Sequence, residues 1–150
     1  MLFIHPSKIN YRPAASADFE KIGWLLHWCR LPETDLDPQR QYFFVAEMGG
    51  AIIGCAAIEV YENYGLFRSL AVSAPFRNLK VAEKLLEHII KLSKEKELAE
   101  LYLLTTTAPE YFRKKGWTQI ERSAVPHAVA QSTEFASVCP ASAICMSKQV

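Results

Sequence analysis

The chain predicts an α/β (α+β) fold: a twisted, mostly antiparallel sheet with one parallel β-α-β crossover and helices on both faces. Three observations predict it. Tyr42–Val72 holds three β-type runs in succession, broken by Gly49-Gly50 and by Tyr61–Gly65, which describes an antiparallel meander. Val81, Leu85, Ile89 and Leu92 then recur at helical spacing among charged residues, predicting a helix over 79–96. Leu101–Leu104 follows at once as a short, fully apolar run, as a buried strand reached by a crossover would, lying parallel to the strand before the helix.

The remaining elements follow in order. Ile9–Arg12 is a short strand. Ser16 is placed to cap a helix over 17–30, Asp18 and Glu20 favour its positive end, and Phe19, Ile22, Leu26 and Cys29 form its apolar face. Trp24, Trp28 and Leu31 add a second stripe that either lines a pocket or simply packs. Leu31-Pro32 stops this helix, and an acid-rich loop runs from Pro32 to Gln39. Tyr42–Met48, Ala51–Val60 and Leu66–Val72 are the meander strands, with Gly54 suggesting a bulge. Ala108–Lys115 reads as a short helix with Pro109 in its first turn and Gly116 just past its end. Trp117–Arg122 and Ala143–Met146 close the chain as strands joined by a long loop.

Composition narrows the function. The 150 residues suit one domain spanning 1–150, and half of them are hydrophobic. Lys plus Arg number 17 against 16 Asp plus Glu, so no excess positive charge is available for a nucleic acid or a lipid surface. Met1–Ile4 is too short for a signal peptide, no run is long and apolar enough to span a membrane, and the expected compartment is the cytosol. Cys29, Cys55, Cys139 and Cys145 lack the paired spacing of a zinc site and read as reduced thiols, with no metal expected.

Two segments carry a family resemblance. Arg68-Ser69-Leu70-Ala71-Val72-Ser73-Ala74-Pro75-Phe76-Arg77 and Tyr111-Phe112-Arg113-Lys114-Lys115-Gly116-Trp117, together with the element order, resemble the GNAT superfamily of acyl-CoA-dependent N-acyltransferases over essentially the whole chain. Leu103–Ala108 and Glu134–Ala143 further resemble the branch encoded in arsenic-resistance operons, which implies a detoxification setting. The resemblance implies acetyl-CoA as co-substrate. Its pantetheine arm would pair with Leu70, Ala71 and Val72, and its pyrophosphate would rest on Arg77, Asn78, Leu79, Lys80, Val81 and Ala82 at a helix start, with Thr106 and Phe112 alongside. The backbone N–H of Val72 would polarise the acyl oxygen.

This sequence departs from the family twice. Lys80 stands where the family places glycine, so either its ammonium supplements the loop or the loop is reshaped and binds CoA poorly. Phe112 occupies the position of a tyrosine acid, and Tyr111, one residue away, should point elsewhere on the helix. Glu59 is the candidate base if burial raises its pKa, or else a solvent-facing strand end; Glu47 is the reserve. Arg68 either holds a substrate carboxylate, with Trp28 and Tyr61 walling the acceptor pocket, or forms a salt bridge with Glu59 or Glu62. The leading expectation is an N-acetyltransferase acting by direct transfer on a small, amino-acid-like amine. The alternatives are a catalytically weakened acyl-CoA-binding or regulatory module, and an arsenite-sensing pair at Cys139 and Cys145. Edge strands at 117–122 and 143–146 would serve a homodimer.

Overall fold

The computed structural model describes residues 5–150; the opening Met1–Ile4 lies outside the described residues. Seven strands form one sheet: β1 (Asn10–Pro13), β2 (Gln41–Met48), β3 (Ala51–Tyr61), β4 (Tyr64–Val72), β5 (Glu100–Thr105), β6 (Thr118–Ile120) and β7 (Ile144–Gln149). Their spatial order is β1-β2-β3-β4-β5-β7-β6, and among the described residues only the β4–β5 pair is parallel. The helices are α1 (Phe19–Trp28), α2 (Val81–Glu95), α3 (Pro109–Lys114) and the single turn α4 (His127–Ala130).

Side-chain alternation divides the sheet's burial between two faces. On one face Ala56, Ile58 and Phe67 meet Val81, Leu85 and Ile89 of α2. On the other, Cys55, Ala57 and Ala71 meet Ile22, Leu25 and Leu26 of α1. Leu66, Tyr102 and Cys145 are covered by Val129, Phe135 and Val125 from the segment between β6 and β7. Each fully buried aliphatic side chain contributes roughly 1.5–3 kcal/mol, which holds the helices against the sheet.

Several boundaries differ from the sequence reading. Helix α1 starts at Phe19 after a 3₁₀ turn, Ser16–Asp18, and Ser16 is not its cap. Asp18 turns backward instead, accepting the Ala15 N–H at 2.7 Å and pairing with Arg12. Gly54 is not itself the bulged residue: the β2–β3 register shifts so that Ile53 is the extra one. A Cβ on Gly54 would stand 2.9 Å from Val81 Cγ1, so the glycine lets α2 lie close to the sheet. Strand β7 is not an edge, because β6 adds outside it; β6 and β1 are the sheet's edges. The long loop before β7 contains α4 and a π-helical turn, Glu134–Val138, that cover the sheet.

Candidate active site

Two features of β4 shape the site. Cys55 pairs with Ala71 and Ala57 with Arg68, so Ser69 and Leu70 together oppose one residue of β3, and Ser69 takes a left-handed φ of 61°. This bulge interrupts the alternation along β4, which would otherwise put Arg68 and Leu70 on one face: Leu70 packs towards the α2 core while Ala71 belongs to the α1 core. The second feature is divergence from β5. The parallel pairing covers only Tyr64, Gly65 and Leu66 against Glu100, Leu101 and Tyr102, after which the strands part.

The gap opens into a cavity of about 440 Å³, lined by Phe67–Leu70, by Leu103–Ala108 with Tyr111 and Phe112, by Arg30–Pro32, and by Glu134, Cys139 and Pro140. That volume suits a small ligand. Thr106 and Phe112 line this cavity, whereas the Ala71 side chain is buried in the core beneath α1. Trp28 and Tyr61 are not walls of this cavity. Trp28 is 77% exposed and sits with Trp24 in a separate groove of about 620 Å³, because α1 presents Ile22, Leu25 and Leu26 to the core instead. Tyr61 Oη is committed to donating a hydrogen bond to Glu59 Oε1.

Arg68 is wholly buried among carboxyl groups. It makes a two-pronged contact with Asp35, including Nη2 to Oδ1 at 2.7 Å, and its Nη1 donates to Glu59 Oε2 at 3.0 Å. Nε donates to Ser69 Oγ at 2.9 Å and lies 4.0 Å from Glu134 Oε1. Burial opposes its charge, but the Asp35 bond and the nearby carboxyl charges outweigh this and raise its pKa. Burial likewise works against an ionised Asp35, yet Arg68 holds that carboxyl below its usual range. Gln41 Nε2 also donates to Glu59 Oε2, at 2.8 Å, and to the Asp35 carbonyl, at 3.0 Å. Of the two expectations for Arg68, the intramolecular ion pair is the one observed, with Asp35 as an unforeseen partner.

Glu59 is not a solvent-facing strand end: it is 2% exposed, with its oxygens taken by Arg68, Gln41 and Tyr61. The reserve base, Glu47, accepts from Arg12 at 2.8 Å. Glu134, which the sequence reading did not single out as a site residue, stands in the cavity wall. Its signal was faint: one acid in a loop of small residues, close in space only because the π-helical turn folds back over β4.

A second cavity of about 300 Å³ lies at the start of α2, lined by Val72, Arg77, Asn78, Lys80, Val81 and Ala82, and by Tyr111. Leu79 turns away into the α2 core. Asn78 and Lys80 adopt left-handed φ values of 73° and 61°, so the lysine takes the backbone conformation that glycine adopts freely. The first N–H groups of α2 have no intrahelical acceptor and suit an anion. Val72 ends β4. Ser73 N–H bonds to the Ile53 carbonyl at 2.8 Å, so alternation turns the Val72 N–H away from β3, while its carbonyl accepts from Arg77 Nε at 3.0 Å.

Tyr111 lines both cavities, and its buried hydroxyl has no hydrogen-bond partner among the described residues. Contrary to expectation, its place on α3 does not direct it away from the site. Burial raises its pKa. Phe112 instead packs edge-on against Phe67 and Trp117. Cys139 lines the larger cavity, whereas Cys145 lies in the buried cluster with Leu66 and Tyr102, so the two cysteines occupy different surroundings.

Comparison with known proteins agrees with this architecture. The acetyltransferase (GNAT) domain family matches residues 39–119, more than half the chain. An uncharacterized N-acetyltransferase of Chlorobaculum tepidum is 34% identical over 88 residues, 58% of this chain and 56% of that protein. The amino-acid acetyltransferase of Aeromonas salmonicida is 27% identical over 125 residues, 75% of this chain and 28% of that protein. This chain thus spans about half or less of the length of these relatives. Among solved structures, N-acetylglutamate synthase from Neisseria gonorrhoeae, complexed with coenzyme A and L-arginine, superposes with a TM-score of 0.77 at 22% identity, over 95% of this chain and 33% of that one. A Mycobacterium tuberculosis protein in complex with CoA and NLQ gives 0.75 at 21% identity, over 94% and 99% of the two chains. A sheet parted between its parallel strands, a left-handed turn leading into α2 and a family match across both make this chain a member of the GNAT acetyltransferase family.

Proposed function

We propose that the chain is an acetyl-CoA-dependent N-acetyltransferase that passes acetyl directly, in a ternary complex, to the amine of a small, amino-acid-like acceptor. The observation that carries this reading is that Tyr111 lines both cavities, the one at the start of α2 and the one in the gap between β4 and β5. The residues present fit the co-substrate: left-handed Asn78 and Lys80 precede free helix amides suited to a pyrophosphate, and the unpaired strand edge suits a pantetheine arm. When bound, acetyl-CoA supplies the activated acyl group.

The chain's own groups would do the rest. Arg77 and Lys80 add positive charge at the diphosphate, and the Val72 N–H polarises the acyl oxygen. Tyr111, replacing the proton donor that Phe112 cannot be, protonates the departing thiolate. Burial pushes the Cys139 thiol up to about 12, so it stays protonated and is a poor nucleophile, which favours direct transfer over an acyl-cysteine route. The amino-acid acetyltransferase relatives support an amino-acid-like acceptor. Segments 103–108 and 134–143, through their resemblance to the arsenic-resistance branch, support a toxic acceptor and a cytosolic detoxification role as the finer form of this reading. Edge strand β6 is where a homodimer would pair.

The test has two steps. Acetyl-CoA should raise the melting temperature saturably, since ligand at 100 times its Kd adds about 2.7 kcal/mol. Release of CoA thiol should then depend on an added amine. Stabilisation without amine-dependent release would favour the binding or regulatory module, to which Phe112 is suited; no stabilisation at millimolar acetyl-CoA would overturn both.

A further inference from the structure

Glu134 opens the π-helical turn, is 4% exposed, and is one of the residues lining the larger cavity. Oε1 stands 4.0 Å from Arg68 Nε, at the outer limit of an ion pair. Oε2 is buried and has no hydrogen-bond partner among the described residues. Asp35 and Glu59, the other carboxyl groups around Arg68, spend their oxygens on Arg68, Gln41 and Tyr61. Leaving a buried carboxyl oxygen unpaired is costly, and one guanidinium faces three acids here. The buried Glu134 oxygen lacks a hydrogen-bond donor and the acids outnumber the guanidinium; a cationic donor entering the cavity that Glu134 lines would answer both.

We infer that Glu134 is the general base of the acetyl transfer, its carboxylate taking a proton from the ammonium of an acceptor that enters the cavity as a cation. This rests on the N-acetyltransferase reading and deepens it by assigning the base and the acceptor's charge. Loss of one proton to Glu134 frees the nitrogen lone pair. The C–N bond then forms as the C–S bond of the thioester breaks; the amide nitrogen gives up its second proton, and the thiolate takes one up, through Tyr111 or water. Glu134 returns its proton to solvent after product leaves. Across the cycle an ammonium and a thioester become an amide, a thiol and one free proton.

The groups facing Glu134 tune it in a useful direction. Desolvation by burial pushes its carboxyl up to about 7; Arg68 on β4 pulls it down, Glu59 on β3 and Asp35 on the loop after α1 push it up, and the neighbouring Cys139 thiol lowers it slightly. A base is most effective near the working pH.

The experiment compares the protein with Glu134→Gln, first for acetyl-CoA stabilisation and then for thiol release with a panel of the standard amino acids and simple alkylamines. The unsubstituted protein should show kcat/KM rising with pH through a step near 7. E134Q should bind acetyl-CoA equally well, lose that step, and fall ~10²–10⁴-fold in kcat. A step near 7 that survives in E134Q, or a kcat within about threefold of the original, overturns the assignment while leaving the activity standing. If the unsubstituted protein binds acetyl-CoA but acetylates none of these amines, the acetyltransferase reading falls first and the assignment with it. Glu134→Asp, which keeps the carboxyl but shortens its reach, should recover part of the lost rate and the pH step.

Discussion

Asp35 grips the guanidinium of Arg68 with both carboxyl oxygens, joining the loop after α1 to the centre of β4 inside the protein. Among the described residues, Arg68 is the only cation in contact with the three acids named around it, Asp35, Glu59 and Glu134. Arg68→Met should therefore destabilise the fold by about 3–5 kcal/mol, because it strands buried acids without a countercharge. Urea denaturation at neutral pH measures this. A loss below ~1 kcal/mol would mean that the acids protonate or rehydrate freely.

Stability should depend on pH in two opposed ways. Asp35 is held below its ordinary range by Arg68, despite burial, so its contribution is complete above its unfolded pKa and is lost as pH falls through the lowered folded value. Glu134 is raised to about 7, so the folded state holds its proton longer than the unfolded chain does. Between roughly pH 4.3 and 7 this term makes stability fall as pH rises, by on the order of 3 kcal/mol in all. Unfolding free energies should peak at roughly pH 4, where the Asp35 contribution is nearly complete and the Glu134 decline begins, and E134Q should flatten the decline above it.

Tyr111→Phe should separate stability from rate. Its hydroxyl is buried without a partner, so removing it should leave stability unchanged or raise it by up to ~1 kcal/mol. Loss of the proton donor should lower kcat ~10²-fold while the KM for acetyl-CoA holds. Thermal denaturation and steady-state kinetics on one preparation check both directions.

Lys80→Gly should stabilise the protein by about 1 kcal/mol, since glycine adopts the left-handed φ of 61° without the cost a Cβ imposes. The same change removes an ammonium from the cavity at α2. Acetyl-CoA affinity should become less sensitive to salt, measurable by calorimetric titration at two ionic strengths.

Gly54→Ala tests how closely α2 must lie. The added methyl would meet Val81 Cγ1 at 2.9 Å and Leu85 Cδ1 at 3.2 Å. A destabilisation of about 1–3 kcal/mol should accompany weaker acetyl-CoA binding, because Val81 begins the helix whose amides face the second cavity.

The local elements were legible because their signals are local. Alternating runs over 42–72, the heptad-like spacing from Val81 to Leu92, and Gly49-Gly50, both at positive φ, need no distant partner to declare themselves. The turn leading into α2 was equally visible as a motif, including the lysine that holds the backbone conformation of a glycine. The stripe of Trp24 and Trp28 lines a groove, but spacing along α1 does not state which cavity that groove is. Tyr111 misled because a helical rotation from Phe112 fixes an angle on α3, not what lies opposite it.

By itself, the sequence determined the order of strands and helices, the single crossover and the family to which they belong, since each depends on periodicity, turn chemistry and short motifs. Only the tertiary structure decided the charge arrangement of the site. Asp35, Glu59, Arg68 and Glu134 come from a loop, two strands and a helical turn, and nothing in their spacing along the chain states which acid takes the guanidinium and which is left facing the cavity. That outcome depends on the Ser69 bulge, the parting of β4 from β5, and the fold of the last long connection. Electrostatic interactions follow distance and burial in space, and those are set by packing.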